Sequence, residues 1–159
     1  MSDEHRTFIA RIGERGGPAL AAPSHASPFF VWKDLFAIGA PGIDEEHQRF
    51  FALANHLYAS LASGGDPEVT KEALLGMAEH ARRHFETEET CLIAALCPYV
   101  TEHRNQHRNF VLALAHLRGQ AMPSAEATFC LARDLILDHI LGMDREHSAW
   151  MVLPPGTAT

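Results

Sequence analysis

The sequence predicts an all-α protein, an antiparallel up-down-up-down four-helix bundle preceded by an N-terminal arm. Three observations carry that expectation. Apolar residues recur three and four apart through four long stretches, the spacing of one buried face on a helix. Breakers separate the stretches: "SGGDP" at 63–67, Pro98, and "GQAMPS" at 119–124. No strand-like alternation of useful length competes, and helices joined by short connections pack as antiparallel neighbours.

Residues 1–27, which include "GERGGPALAAPSHAS", are rich in Gly, Pro, Ala and Ser and are expected to form a flexible arm, through which a protein partner would dock. The bundle is expected over 28–153. It opens on "FFVWKDLF", whose Trp32 and phenylalanines pack a lead-in segment against the helices. The first helix is expected from about Asp44 to Ala62. The second starts at Pro67, with Asp66 as its cap and proline at the first helical position, and ends before Pro98. The third runs from about Val100 to Gly119. The fourth starts after Ser124, a good cap, and ends before "LPPG"; residues 154–159 are a tail.

Composition narrows the function. A formal net charge of −7 with no run of five like charges argues against nucleic acid, which needs clustered Lys and Arg. Cys91, Cys97 and Cys130 show no CxxC spacing and suit reduced thiols in the cytoplasm. The first residues mix acids and bases, unlike a secretory signal, and no apolar run approaches a membrane span.

The chain has 11 histidines, roughly three times average usage for its length. Their positions matter more than their number. The inward seams read Ile43, His47, Phe50, Ala54, Leu57, Leu61; then Leu74, Met77, Ala81, His84, Glu88, Cys91, Ala95; then Val100, His103, His107, Phe110, Leu114, Leu117; then Phe129, Ala132, Ile136, His139, Met143. His47, His84, His103, His107 and His139, with Glu88, interrupt otherwise apolar seams. His5 and His25 lie in the arm, and His56, His80, His116 and His147 lie off their seams; His80, where Ala81 continues the seam, is expected to flank it as a hydrogen-bond partner rather than a ligand. Burying that many imidazoles and a carboxylate without a common partner costs several kcal/mol; a shared metal supplies the partner. The heights agree too. His47 and His103 come early in their helices and His84 and His139 late, so in an antiparallel bundle they share one end. Asp144, five after His139, sits about 140° round from it on a regular helix. Either local bending near Gly142 or a sideways reach would be needed to bring it in.

Together "GIDEEH", "HFETEE", "HRNQH" and "HILGMD" resemble the hemerythrin pattern, over about residues 28–151 and including the Trp32 segment. The resemblance makes Asp144 a ligand. It implies a centre of two iron ions bridged by Glu88, Asp144 and a solvent-derived oxo or hydroxo group. One iron would take His103, His107 and His139; the other would take His47 and His84, with one position open for dioxygen. Phe50, Phe85, Phe110 and Ile136 are the expected lining of a dry pocket. Two departures from the family pattern, Leu92 for a methionine and Leu135 for a tryptophan, bear on pocket shape. Two bridging carboxylates suit six-coordinate iron better than tetrahedral zinc. The function implied is reversible dioxygen binding for carriage, storage or delivery, without catalysis. The alternatives are sensing of oxygen, redox state or nitric oxide through a partner, and a di-iron enzyme that consumes peroxide or oxidises iron. Cys91, one turn beyond Glu88, is expected to be packing; its other reading is a redox-sensitive thiol.

Overall fold

The computed structural model describes residues 28–62, 66–120 and 125–152. The expected arm, the tail and the Ser124 cap lie outside these. Helix α1 spans Pro41–Ala62, α2 Pro67–Ala94 and α3 Val100–Arg118. The fourth rod is continuous but not uniform: α4 (Ala125–Asp134), a π-helical stretch (Leu135–Asp144), then α5 (Arg145–Met151). The helices form a four-membered ring, in which α1 packs on α2, α2 on α3, α3 on the fourth rod, and the fourth rod on α1. This is the four-helix bundle the sequence predicts.

Local chemistry sets the ends. The Asp66 side chain accepts from the Glu68 N–H at 2.9 Å and Pro67 follows it, as expected for this cap. Helix α1 begins three residues before its expected start, because the buried Asp44 carboxylate accepts from the Ile38 and Gly39 N–H groups at 2.7 and 3.1 Å. That ties down a turn in which Gly39 has φ 87. Helix α2 closes with the Cys97 N–H bonded to the Leu92 carbonyl at 2.9 Å, and Leu96 takes the left-handed position at φ 53. Leu96 is 77% exposed, so its side chain contributes little there. Leu96→Gly is expected to raise unfolding free energy by roughly 0.5–1 kcal/mol, because glycine carries no steric penalty in that region. Urea denaturation of the metal-free protein checks this.

The seams face inward as expected through most of the bundle. Phe50, Leu57, Leu74, Met77, Leu114, Leu131 and Ile136 belong to one large apolar cluster. The lead-in segment seals its side: the Trp32 ring lies edge-on to Phe51 at 5.3 Å, and the Phe30 backbone exchanges two 2.8 Å bonds with the Asn55 amide. A second cluster, built on Ile38, Ile43, Leu92, Cys97 and Met151, closes the other end. At the end of α2 the seam turns: Leu92 is buried, while Cys91 and Ala95 are only half-buried.

The main departure is in the fourth rod. A π turn closes i→i+5 bonds, so residues five apart stand close along one side. Nothing at Gly142 demands a glycine: its φ is not positive, and a Cβ there would meet the Leu137 carbonyl at an ordinary 3.5 Å. The wider winding runs through the whole stretch. It brings Asp144 inward beneath His139, and an α-helical continuation then carries His147 and Met151 inward at the third and seventh positions beyond it.

Candidate metal centre

The seven side chains picked out in the sequence all meet. Helix α1 supplies His47, α2 supplies His84 and Glu88, α3 supplies His103 and His107, and the π stretch supplies His139 and Asp144; all are buried. Their ligand atoms form two sets, each within 4.8 Å of one another: Glu88, His103, His107 and His139 in one, and His47, His84, Glu88 and Asp144 in the other. The carboxylates straddle both. Glu88 Oε1 is 3.4 Å from His47 Nε2 and 3.2 Å from His84 Nε2, while Oε2 is 3.4 Å from His103 Nε2 and 3.1 Å from His107 Nε2. Asp144 Oδ2 is 3.2 Å from His47 Nε2, and Oδ1 is 3.3 Å from both His103 and His139 Nε2. Such a meeting requires antiparallel helices, since the contributing ends alternate along the chain.

The donor set fits metal ions. His47 Nε2, His84 Nε2, Glu88 Oε1 and both Asp144 oxygens are buried with no hydrogen-bond partner. Leaving so many buried polar atoms unmet costs on the order of 1–3 kcal/mol each. They lie close together yet are not aligned on one another, as expected of atoms aimed at a common point. Donors about 2.1 Å from a shared ion stand about 3 Å apart at adjacent vertices, and these separations match. Residues on all four rods would hold such ions.

Three of the outward nitrogens are held as well, those of His84, His103 and His107. His84 Nδ1–H donates to Glu46 Oε2 at 2.9 Å, and His107 Nδ1–H donates to Glu89 Oε1 at 2.9 Å. Arg104 Nε in turn donates to Glu89 Oε2 at 2.7 Å. With its Nε2 turned to the centre, His103 donates from Nδ1 to His147 Nδ1 at 3.0 Å. Each contact fixes a tautomer and aims Nε2 inward, and a carboxylate partner also strengthens the imidazole as a donor. The sequence reading missed Glu46, Glu89 and this role of His147. His147, expected off its seam, is buried because the π stretch shifts its register, while His80 flanks its seam as expected, buried toward α1 with its Nε2 2.9 Å from the Glu46 carbonyl.

Electrostatics follow from this crowding. Burial works against a charged His84, but the nearby Glu88 charge and the bond to Glu46 outweigh it and lift its pKa from 6.5 to about 10. Burial likewise opposes charge on Glu88, yet the surrounding imidazoles, His84 foremost, hold it well below the usual carboxylate range. Metal-free His84 therefore keeps its proton at neutral pH, and a bound metal must displace it. Loading is expected to release protons and to weaken as pH falls from about 10, a sign set by the raised value. Calorimetry in buffers of different ionisation enthalpy checks this; loading without proton release would contradict it.

Aromatic walls surround the donors. Phe85 stacks on His107 with ring centroids 3.8 Å apart and lies edge-on to His139, and Phe50 packs against His84 at 5.1 Å. Phe110 lies edge-on to Phe85 at 5.8 Å, and Ile136 belongs to the same large cluster. Burial, then the Glu88 and Glu46 charges, pushes the Cys91 thiol up, which keeps it from being a reactive thiolate.

A four-helix bundle enclosing paired histidine and carboxylate clusters defines a non-haem metal-binding protein. The chain belongs to the hemerythrin family, since the family model described as the hemerythrin HHE cation binding domain matches residues 39–148. It is similar to the bacteriohemerythrin of Stenotrophomonas maltophilia (strain R551-3), 31% identical over 122 residues covering 74% of this chain and 78% of that one. It is also similar to myohemerythrin-1 of Phascolopsis gouldii, 28% identical over 115 residues, 72% of this chain and 88% of that one. The bacteriohemerythrin of Clostridium acetobutylicum is 26% identical over 126 residues, 74% and 98% of the two chains. Family and donor chemistry together support non-haem iron binding. No helix among the described residues is long and apolar enough to cross a membrane.

Proposed function

We propose that this chain binds dioxygen reversibly at a pair of non-haem irons, for carriage, storage or delivery, rather than catalysing turnover. One observation carries the reading: Glu88 belongs to both donor sets and Asp144 reaches histidines of both, but the sets are unequal in imidazoles, three against two. His103, His107 and His139 would hold one iron and His47 and His84 the other, with Glu88 and Asp144 spanning both. The poorer set leaves a position for an outside ligand. Ferrous iron supplies the electrons that dioxygen takes up on binding.

The chain's own residues support release of the gas intact. Five neutral imidazoles donate less negative charge than the carboxylate-rich pairs of oxygen-activating bundles. Phe50 beside His84, and Phe85 across His107 and His139, keep water from the donors and deny a bound ligand stray protons. The Ile43, Leu92 and Met151 cluster closes the end of the bundle over them.

Metal analysis with visible spectra, taken anaerobically and then in air, tests this. The expected result is about two irons per chain and a new band in air that disappears when the gas is removed. Protein without an iron pair would overturn the assignment. An irreversible change with repeated consumption of peroxide would replace it with the enzyme reading.

A further inference from the structure

On the outer side of α2 and α3 a groove of about 680 Å³ runs beside the centre, with the Phe85 and His107 rings in its floor. Its walls carry Arg82, Arg104 and Arg108 together with the apolar Val111 and Leu112. Arg82 is paired with Glu86 at 2.9 Å and Arg104 with Glu89 at 2.7 Å, whereas Arg108 makes no ion pair among the described residues. The groove thus has one guanidinium to spare and a second held by a half-exposed pair, of the kind that water and salt screen strongly. That second pair is the outer link of a chain leading inward: Arg104 is 53% exposed, Glu89 23% and His107 3%.

We propose that this groove binds an organic phosphate through Arg104 and Arg108, and that its occupation adjusts the metal centre through Glu89 and His107. The reasoning rests on the iron assignment above for its effect, but not for the binding itself. Guanidinium forks match phosphate oxygens, and two of them on neighbouring turns can share one phosphate. Val111, Leu112 and the Phe85 edge offer an apolar wall to its organic body, and the volume suits a small molecule. When phosphate takes Arg104, the Glu89 carboxylate loses its cation and acts on the His107 Nδ1–H alone. His107 then becomes the stronger donor and ferric iron is favoured.

Phenyl phosphate and inorganic phosphate are titrated into the full chain, iron-free and iron-loaded. In the iron-free chain calorimetry is expected to show saturable phenyl phosphate binding, about tenfold tighter than inorganic phosphate, with the His107 Nδ1–H resonance moving downfield. In the loaded chain the reduction potential falls. Arg108→Gln weakens binding about tenfold, the loss of one charged contact, without changing the ligand-free potential. Arg104→Gln lowers the potential with no anion present and abolishes the further response. No saturable binding, equal affinity for inorganic phosphate, an unmoved His107 resonance, a potential shift whose midpoint concentration is unchanged in Arg108→Gln, or a further shift on adding phosphate to Arg104→Gln overturns the proposal; the last would mean phosphate reaches iron directly. Intact binding in a chain that takes up no iron would count against the iron assignment and not against the groove.

Discussion

Glu88→Ala is expected to empty both metal positions at once. Glu88 is the residue common to the two donor sets, with Oε1 turned to His47 and His84 and Oε2 to His103 and His107. Without it neither of the proposed ions would keep its bridge, and the loss should exceed the roughly 10- to 100-fold typical of an outer partner. Bound iron should fall from about two per chain to near zero. The metal-free fold should suffer as well. Charge on the buried His84 is opposed by burial and sustained chiefly by Glu88, and breaking such a pair costs about 3–5 kcal/mol. Metal analysis alongside circular dichroism and denaturation separates the two effects. Glu86→Ala, on the exposed side of the same helix, is the control and should keep its iron. Retention of two irons by Glu88→Ala would remove the bridge from the account.

The second large effect is expected at Glu46, a residue that touches no ion. Glu46→Gln keeps an acceptor for His84 Nδ1–H but removes its charge, so His84 is still aimed while becoming a weaker donor. The affinity expected to fall, by about 10- to 100-fold, is that of the position held by His47 and His84. The three-histidine position has its own partners in Glu89 and His147 and should be spared. Iron content is therefore expected to drop toward one per chain rather than to zero, and the air-dependent band should fade in proportion. Equal loss at both positions would show that Glu46 acts on the fold as a whole and not on His84.

Much of this was legible in the sequence. Breakers at 63–67, Pro98 and 119–124 delimit the helices, and seam periodicity alone separates His47, His84, His103, His107 and His139 from the exposed His56 and His116. What was not legible has two causes. Pattern reading assumes a single winding, so it put Asp144 off the face and His147 outside, when the π stretch turns both inward. It also ranks residues within one helix, whereas the outer partners act between helices. Glu46 and Glu89 stand next to other acids in "IDEEH" and "HFETEE", and only the packing of α1 and α3 against α2 shows which acid meets a histidine. The signal that was available is weak: an acid adjacent to a ligand, on the side facing the next helix.

The wide winding of Leu135–Asp144 also ties the backbone to its cargo. Backbone bonds of this kind are rarer and less favourable than ordinary helical ones, so the stretch needs something to retain it. Bound irons held by both His139 and Asp144 would provide such a clasp. Stripping the iron should let residues 135–144 relax toward tighter coiling, with Asp144 swinging out and His147 following. Deuterium uptake there is expected to rise well above that of α2 in the stripped protein and to fall again on reloading, so that this segment registers whether the protein is charged with metal.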